Sequence, residues 1–382
     1  MAVLADDLEV VVAEGIDLVL LSRDEVLIQF GSRSRPSELL RDDELTGLLG
    51  SIVELLCAGP QSLADLVAAT VPKHQPEVRR VVLDLLERGI LTDVRRDPVE
   101  QYLAYSFEGS RDFDRLAVTV IGAGPLGARI ASILTLHPVG AIRLLDNRVA
   151  DEAWRASLPS SLAPDTDGHG RVDLLVGSRL RPLQASVEVV DGDLDLEGVR
   201  RAVASADLTF LALDRPEFRL THLVNRVCLQ SRKPWLLATI DGNRGLVGPL
   251  FLPPYTACFN DYSTLAAATT PSSAMAQAYS RKTRLRTDSR FFPGLPVYAD
   301  IVAGHASLAG IHFLLRDTSF AIGRQLVIDF DGMRIDVEDV MKLPRCPVCG
   351  NAGPSRRPVF TSDVVAARSN ATAEPHASLG VG

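Results

Sequence analysis

Apolar residues in the middle of the chain fall into short continuous runs separated by stretches of helical periodicity. The apolar runs predict five strands, at residues 116–122, 141–146, 186–191, 208–213 and 234–240. The helical stretches between them predict four helices, at residues 126–136, 173–180, 196–204 and 219–230. Strands that alternate with helices at these spacings form an α/β, doubly wound Rossmann-type sheet with right-handed crossovers.

The first hundred residues follow a different pattern. Residues 17–22 and 25–30 are two apolar segments joined at Arg23-Asp24, and they predict a β-hairpin. Three helical patterns and a short return strand follow, at residues 42–58, 62–70, 75–88 and 90–93. A hairpin with three short helices is a winged-helix layout. We therefore predict a winged-helix-like domain over residues 1–100 and a Rossmann-type domain over residues 112–355.

The C-terminal third combines regular and irregular segments. Residues 263–290 are rich in Ala, Thr, Ser and Arg and predict a mobile crossing loop. A helix over 298–315 and a hairpin turned at Asp331-Gly332 follow. Residues 358–382 have little apolar periodicity, so we expect a disordered tail.

Composition limits the cellular setting. The net charge is −8, no apolar run is long enough to span a membrane, and the first residues lack the basic start of a signal peptide. Five cysteines, an odd number, argue against a disulfide framework. We therefore expect a cytoplasmic protein that does not bind membranes.

The charge of the N-terminal domain limits the class of ligand that the domain can bind. Residues 1–100 contain ten Arg or Lys and nineteen Asp or Glu, a net charge of −9, whereas a nucleic-acid reader needs cations that displace counterions from phosphates. An extended peptide added to a sheet edge beside an apolar helix is the ligand that we predict, and a dimerisation or packing module is the alternative. The candidate peptide-binding residues are Val26, Ile28, Phe30, Val78, Val81, Val82 and Leu85.

A glycine motif marks the start of the second domain. The strand over 116–122 ends in Gly122-x-Gly124-x-x-Gly127, a turn whose backbone N–H groups can cradle a phosphate. Asp146 ends the second strand, where an acidic residue meets a ribose hydroxyl, and Asp214 follows the fourth strand at the edge where ligands bind such sheets. These five residues are the candidate nucleotide site. The pattern defines a fold and leaves the reaction open.

The order of the motifs resembles a known family. A winged-helix module, the Gly122–Gly127 loop, a Gly248-Pro-Leu-x-x-Pro segment leading to Cys258 and a closing Pro344-Arg-Cys-Pro-Val-Cys-Gly350 are together similar to the ThiF-like (ocin-ThiF type) partner proteins of YcaO cyclodehydratases. These proteins act in the biosynthesis of azole-containing ribosomal peptides, including thiopeptide antibiotics. The resemblance extends over the chain to about residue 355.

The resemblance implies a function and partners. It implies that the N-terminal module, a precursor-peptide recognition element, binds the leader of a precursor peptide. It also implies that the ThiF-like body docks a YcaO protein, which uses ATP to convert Cys, Ser or Thr into azolines. We also expect a homodimer.

Two departures from the family concern the nucleotide site. No Lys occurs between Lys73 and Lys233, and the Asn-Arg-Gln sequence expected after the second strand is absent. Arg171 could replace the lysine as a cation, but its planar fork is a different phosphate ligand. We therefore expect a vestigial nucleotide site, at which ATP binding is disfavoured, and no catalysis by this chain alone. An adenylating enzyme acting on a peptide carboxylate is the alternative, and a nicotinamide-dependent oxidoreductase is disfavoured because no suitable His or Tyr/Lys set follows the motif.

A third departure concerns metal. Two Cys-x-x-Cys pairs would form a tetrahedral zinc site, but this chain has Cys346-x-x-Cys349 and, in place of the other pair, Cys258-Phe-Asn-Asp261. The resemblance implies that the three cysteines lie close together in the fold. Either these four residues bind structural zinc or the metal has been lost and the thiols are buried. Cys57 and Cys228 lie on apolar helical faces, which predicts core positions.

Overall fold

The computed structural model describes residues 8–31, 38–96, 99–102, 113–163, 170–178, 180, 186–190, 192–269, 278 and 295–350. The chain divides into two compact units, Met1–Ser110 and Arg111–Gly382.

The first unit contains two small antiparallel sheets and three helices. Its strands are β1 (Glu9–Val12), β2 (Ile16–Leu20), β3 (Glu25–Phe30), β4 (Glu38–Arg41), β5 (Gln61–Ser62) and β6 (Leu91–Asp93). Its helices are α1 (Leu48–Ala58), α2 (Leu63–Ala68) and α3 (Gln75–Glu87), with a 3-10 turn at Pro72–His74. The strand orders are β5-β1-β6 and β2-β3-β4. The predicted hairpin is the β2–β3 pair, and Ser62 caps α2 by accepting the Asp65 N–H at 3.0 Å.

Two features of this unit differ from the sequence prediction. The first helix begins at Leu48 rather than at residue 42, because the Asp42 carboxylate accepts the N–H groups of Glu44 and Thr46 and Gly47 adopts a left-handed φ of 73°. The second difference is β4, which pairs with β3. As a result β3 is the central strand of its sheet, and β2 and β4 are the edges.

The second unit is built on one eight-stranded sheet. Its strands are β7 (Ala117–Ile121), β8 (Ala141–Leu145), β9 (Ser186–Val189), β10 (Leu208–Leu213), β11 (Trp235–Asp241), β12 (Arg244–Phe251), β13 (Arg324–Asp329) and β14 (Arg334–Asp339). Its helices are α4 (Pro125–Thr135), α5 (Glu152–Ser157), α6 (Arg171–Ser178), α7 (Leu196–Ala204), α8 (Phe218–Ser231), α9 (Phe259–Thr269) and α10 (Pro296–Arg316), after a 3-10 turn at Phe113–Arg115.

The order of this sheet is β14-β13-β12-β11-β10-β7-β8-β9. The pairs from β9 to β11 are parallel and those from β11 to β14 are antiparallel. The predicted α/β, Rossmann-type fold is confirmed. Because β7, β8 and β10 are parallel neighbours, their carboxyl ends lie side by side at the same end of the strands.

Two segments of the second unit were wrongly predicted. Residues Arg244–Phe251 form a strand that the apolar runs did not predict; the β11–β12 register shifts between Leu236 and Ala238, where Pro249 has no N–H to contribute. Residues 263–269 belong to α9 rather than to a loop. The rest of the predicted crossing loop, apart from residue 278, and the predicted tail lie outside the described residues.

Helix α10 is long and apolar enough to cross a membrane by length and composition, but 56% of its apolar window is buried inside the protein. It packs against α4, β11 and β12, as the core helix of an α/β domain does. Cys228 is buried as predicted. Cys57, in the last turn of α1, is exposed although it lies one turn after the buried Val53, so its predicted core position was wrong.

Candidate functional site

The glycine motif joins β7 to α4 at very close backbone distances. A Cβ atom at Gly122 would lie 2.2 Å from the carbonyl oxygen of Ala212, and one at Gly127 would lie 1.8 Å from that of Gly122. Gly122 also has a φ of 99°, which other residues rarely adopt. Gly122 and Gly127 are therefore required for the packing of strand, turn and helix, whatever the turn binds, and a Cβ at Gly124 would collide with the Asp214 carboxylate.

The two predicted aspartates lie beside this turn and bind it. Asp146 Oδ2 accepts the N–H of Ala123 at 2.7 Å, and Asp214 Oδ1 accepts the N–H of Leu126 at 2.9 Å. Pro125, between them, has no N–H. The structure thus brings the five predicted nucleotide-site residues together. It also shows that the chain's own carboxylates bind two of the N–H groups that could face a phosphate.

Two arginines complete the charges of this site. The Arg148 guanidinium donates to both carboxylate oxygens of Glu217, at 2.8 and 2.9 Å. Arg171 is only 4% exposed; its Nε donates to the Val149 carbonyl at 3.1 Å and its guanidinium lies 5.8 Å from the ring centre of Trp154. None of the described residues makes a hydrogen bond to the terminal nitrogens of Arg171. Sequence reasoning missed the roles of Glu217 and Trp154, which only the tertiary fold brings to the loop.

Burial changes the protonation of this site. Burial raises the pKa of Asp214 to about 6, against the lowering effect of its hydrogen bond from Leu126. Burial likewise lowers the pKa of Arg171, which Asp146 partly offsets. Two carboxylates and a paired Glu217 around two guanidinium groups leave no excess of positive charge for a triphosphate.

A second cluster is formed by Cys258, Asp261, Cys346 and Cys349, whose ligand atoms all lie within 4.8 Å of one another. Cys258 precedes α9, Asp261 lies in its first turn, and the two other cysteines follow β14 in a turn closed by the Gly350 N–H to the Cys346 carbonyl at 2.9 Å. The predicted proximity of the three cysteines is therefore confirmed, and all four side chains are buried.

The geometry of this cluster fits a tetrahedral metal ion. The Sγ atoms of Cys258 and Cys346 are 3.7 Å apart, close to the ~3.8 Å that two zinc–sulfur bonds of about 2.3 Å would give. Asp261 Oδ2 lies 3.0 Å from Cys349 Sγ. The hydrogen bond with Cys349 lowers the pKa of the Cys258 thiol to about 7, whereas burial raises the pKa of Cys346 and the hydrogen bond with Cys258 raises that of Cys349. In the absence of a metal, Cys258 is therefore the thiol of the three that ionises most readily to the thiolate a metal binds. These four residues could hold a metal ion.

The candidate peptide-binding residues of the first unit are mostly internal. Val26, Ile28, Val78, Val82 and Leu85 are all at most 4% exposed and belong to the core. Phe30 and Val81 are partly buried, and they alone of the seven could touch a ligand directly. Because β3 has neighbours on both sides, a peptide cannot be added to it. The five buried residues can contribute only by packing beneath residues that form a binding surface.

The free edge of β4 offers such a surface. Leu40 of β4 and Val81 of α3 pack on the same small cluster, formed by Val26, Leu49 and Val53. An ion pair joins Arg88, at the end of α3, to Glu38 of β4. Sequence reasoning missed β4, whose four residues have no alternating pattern. Among the described strands, β4 pairs only with β3, so no described strand pairs with its other edge.

The fold and the glycine loop define an α/β protein of the Rossmann type, and parts of the chain are similar to known proteins. Residues 175–350 match the ThiF family. Protein HesA of Leptolyngbya boryana is 24% identical over 259 residues, which are 67% of this chain and 84% of HesA.

Solved structures with the same fold extend the similarity to most of the chain. E. coli MccB solved with ATP is 17% identical with a TM-score of 0.57, and the match covers 90% of this chain and 100% of MccB. MccB, described as a Microcin C7 biosynthetic enzyme, in complex with N-formylated MccA is 18% identical with a TM-score of 0.59 over the same shares. PaaA is 16% identical with a TM-score of 0.53, covering 69% of this chain and 92% of PaaA.

Proposed function

We propose that this protein binds the leader of a ribosomally made precursor peptide and presents the peptide to a YcaO-type cyclodehydratase. The observation that carries the proposal is the open edge of β4 beside α3, in a unit whose charge excludes nucleic acid. A leader added antiparallel or parallel to β4 would gain main-chain hydrogen bonds there. Its alternate side chains would contact Leu40 and Val81.

The comparisons support a role in peptide natural-product biosynthesis. MccB is named as a biosynthetic enzyme of Microcin C7 and is solved with MccA, and its match covers both units of this chain. The order of motifs similar to YcaO partner proteins supports the choice of enzyme partner.

Peptide binding is tested with the leader of a short Cys/Ser/Thr-rich reading frame encoded beside this gene. Fluorescence anisotropy of the labelled leader with the full chain should give saturable binding. Val81→Glu, which places a charge beside the β4 edge, should weaken it by at least about tenfold, since burying an unpaired charge at the contact is costly.

The matched control is Val19→Glu. Val19 is 43% exposed on β2, the opposite edge strand of the same sheet, so this variant should bind as the wild type does. Val81→Ala adds no charge and should weaken binding by a smaller factor. It tests the same contact in case Val81→Glu does not fold. Equal loss of binding in the Val19 and Val81 variants would refute the β4 edge as the site.

Adenylation is the second candidate function, favoured by Arg171, a buried cation whose terminal nitrogens have no hydrogen-bond partner among the described residues. Against it, Asp146, Asp214 and Pro125 leave few N–H donors for phosphates. An ATP–pyrophosphate exchange assay with the leader-bearing peptide separates the two. We expect no exchange above background, and exchange that Arg171→Gln abolishes would establish the enzyme.

We further propose that the cluster of Cys258, Asp261, Cys346 and Cys349 binds structural zinc. Three thiolates and one carboxylate complete a closed tetrahedral set, which is typical of structural rather than catalytic zinc. Bound there, zinc would join the start of α9 to the turn after β14.

A further inference from the structure

Helix α1 has more apolar surface than the core of the first unit covers. Only one of its eleven residues, Glu54, is charged. Its buried residues pack on the two core clusters of the unit, whereas Leu48 and Leu55, two turns apart on one face, are only half-buried. A helix that is apolar on most of its sides is normally covered on most of them. The face that contains Leu48 and Leu55 is therefore a candidate for contact with another molecule.

An apolar groove follows this face, between α1 and α2. It has a volume of about 310 Å³, and its most deeply buried lining residues are Ile52 and Leu66, which are 3% and 1% exposed. The remaining lining residues are Leu48, Ser51, Glu54, Leu55, Ala69 and Thr70. Residues 48, 52 and 55 have the i, i+4, i+7 spacing of one helical stripe, so the groove extends for about 10 Å along α1. An apolar recess with polar residues at its rim is typical of an interaction site.

The charges of the elements that form the groove all have one sign. Residues 42–72 contain five Asp or Glu and no Lys, Arg or His. Two of the five carboxylates accept hydrogen bonds within local turns. The side chains of the other three make no ion pair or hydrogen bond with any residue that the structure describes; they are Asp43, Glu44 and Glu54. Unpaired carboxylates beside apolar surface attract a ligand that is both apolar and cationic, and they repel nucleic acid and anionic lipid.

We propose that the groove between α1 and α2 binds a basic amphipathic helix of a partner protein. Such a helix would insert the aliphatic side chains of its i, i+3, i+4 and i+7 stripe into the groove, and its flanking Lys or Arg residues would meet the carboxylates. No residue of β4 or α3 lines the groove, so the proposal does not depend on leader binding. The contact is smaller than a standard interface, and we expect a dissociation constant of about 10–100 µM.

A designed peptide tests the chemistry of the ligand. The probe is a labelled helical peptide of about fourteen residues, with Leu along one i, i+3, i+4, i+7 stripe and Lys at most other positions. Its fluorescence anisotropy with the full chain, measured at physiological salt, should give saturable binding. A scrambled peptide of the same composition has no apolar stripe, and a third peptide carries Glu in place of each Lys. Both should bind at least about tenfold more weakly, since each lacks one of the two required features.

Variants of the groove test the location. Glu54→Lys should weaken binding of the probe by about fivefold or more, because it replaces an attractive charge with a repulsive one. Glu87→Lys makes the same change at an exposed position of α3 that does not line the groove, and it should bind within about twofold of the wild type. Ala69→Gln leaves the charge unchanged and places a longer side chain in the groove, so it should weaken binding by about tenfold.

The leader peptide provides the competition experiment. Unlabelled leader should not displace the probe, and Val81→Glu should leave binding of the probe unchanged, because the β4 edge and the groove are separate surfaces. Displacement by the leader would assign the groove to the leader and overturn the proposal. Equal binding of the scrambled peptide, equal effects of Glu54→Lys and Glu87→Lys, or no binding of the probe at 500 µM protein, well above the expected dissociation constant of about 10–100 µM, would also overturn it. Failure of the leader to bind the wild type would refute the proposed function and leave this result unaffected.

Discussion

At the scale of single residues, Asp261 is the residue that distinguishes the cysteine cluster from a four-cysteine zinc site. Its two carboxylate oxygens accept the N–H of Cys258 at 2.9 Å and that of Leu343 at 3.3 Å, so the side chain is held in place before any metal binds. A carboxylate is a harder and less tightly held zinc ligand than a thiolate. The cluster should therefore bind zinc but release it more readily than four cysteines would.

We predict about one zinc ion per purified chain, in line with a closed four-ligand site. Asp261→Ala should lower the zinc content to less than about half, and Asp261→Cys should keep it and slow its release to a chelator. Metal analysis and a chelator-competition time course measure both effects. Cys57→Ala, which changes an exposed cysteine elsewhere, should leave both unchanged, and wild-type protein without zinc would refute the site.

Asp214 makes stability depend on pH. Its pKa is about 6 in the folded chain against an ordinary value of 3.8, so the folded state favours the protonated form. The resulting stabilisation is complete below about pH 4 and is lost as the pH rises through 6; a shift of this size corresponds to up to about 3 kcal/mol.

Asp214→Asn isolates this effect, because its amide oxygen can still accept the Leu126 N–H but does not titrate. The free energy of unfolding of the wild type minus that of the variant should fall by up to about 3 kcal/mol between pH 4 and pH 7. Trp154 and Trp235, the two tryptophans, are both buried in the second unit, so urea unfolding followed by their fluorescence reports on that unit. A difference that is constant with pH would contradict the prediction.

At the scale of elements, helix α10 contains two glycines with opposite roles. A Cβ at Gly304 would meet nothing within 4 Å, whereas one at Gly310 would lie 2.2 Å from Cζ of the fully buried Phe210. Gly304 therefore only weakens the helix. Gly310 allows the helix to approach β10.

Gly304→Ala should stabilise the second unit by about 0.5–1 kcal/mol, because alanine has the higher helix propensity. Gly310→Ala should destabilise it by about 1–3 kcal/mol, since the fully buried Phe210 would have to shift to make room for the methyl group. Tryptophan-monitored urea unfolding at constant pH compares the two variants, which are matched in residue change and helix. Equal changes in the free energy of unfolding would show that the contact with Phe210 does not limit how closely α10 approaches β10.

The elements also show what the sequence could predict. Residues 196–204 and 208–213 were predicted to the residue, because Asp195 caps α7 and β10 is a continuous apolar run bounded by turns. Strand β12 was missed because Gly248-Pro249 interrupts a pattern that the sheet accommodates by a register shift. The central position of β3 could not be predicted, since pairing order depends on contacts distant in sequence.

The candidate sites were predicted unevenly for the same reason. The glycine loop, Asp146 and Asp214 come together because the ends of neighbouring parallel strands meet. The contacts of Arg148 with Glu217 and of Arg171 with Trp154 depend on how α5, α6 and α8 pack, which no local pattern encodes.

At the scale of the whole molecule, charge and chemistry are divided between the two units. Residues 1–100 carry a charge of −9 in a chain whose total is −8, so the remainder is nearly neutral. The first unit has its own apolar core, and both the glycine loop and the cysteine cluster lie in the second. The leader binding and the enzyme docking that we propose should therefore be separable.

We predict that a chain lacking residues 1–110 keeps its zinc and its tryptophan-monitored unfolding but loses leader binding.

Wild-type protein alone should neither hydrolyse ATP nor modify the peptide, because its glycine loop is bound by its own carboxylates. With a YcaO enzyme and full-length precursor, mass spectrometry should detect the loss of 18 Da that accompanies each azoline, and the truncated chain should reduce this rate by at least about tenfold, since the leader is no longer held near the enzyme. Supplying the missing unit as a separate chain should restore little of the rate, because tethering sets the effective concentration. Leader binding retained by the truncated chain, or azoline formation without the YcaO enzyme, would contradict these separate roles of the first unit and the enzyme.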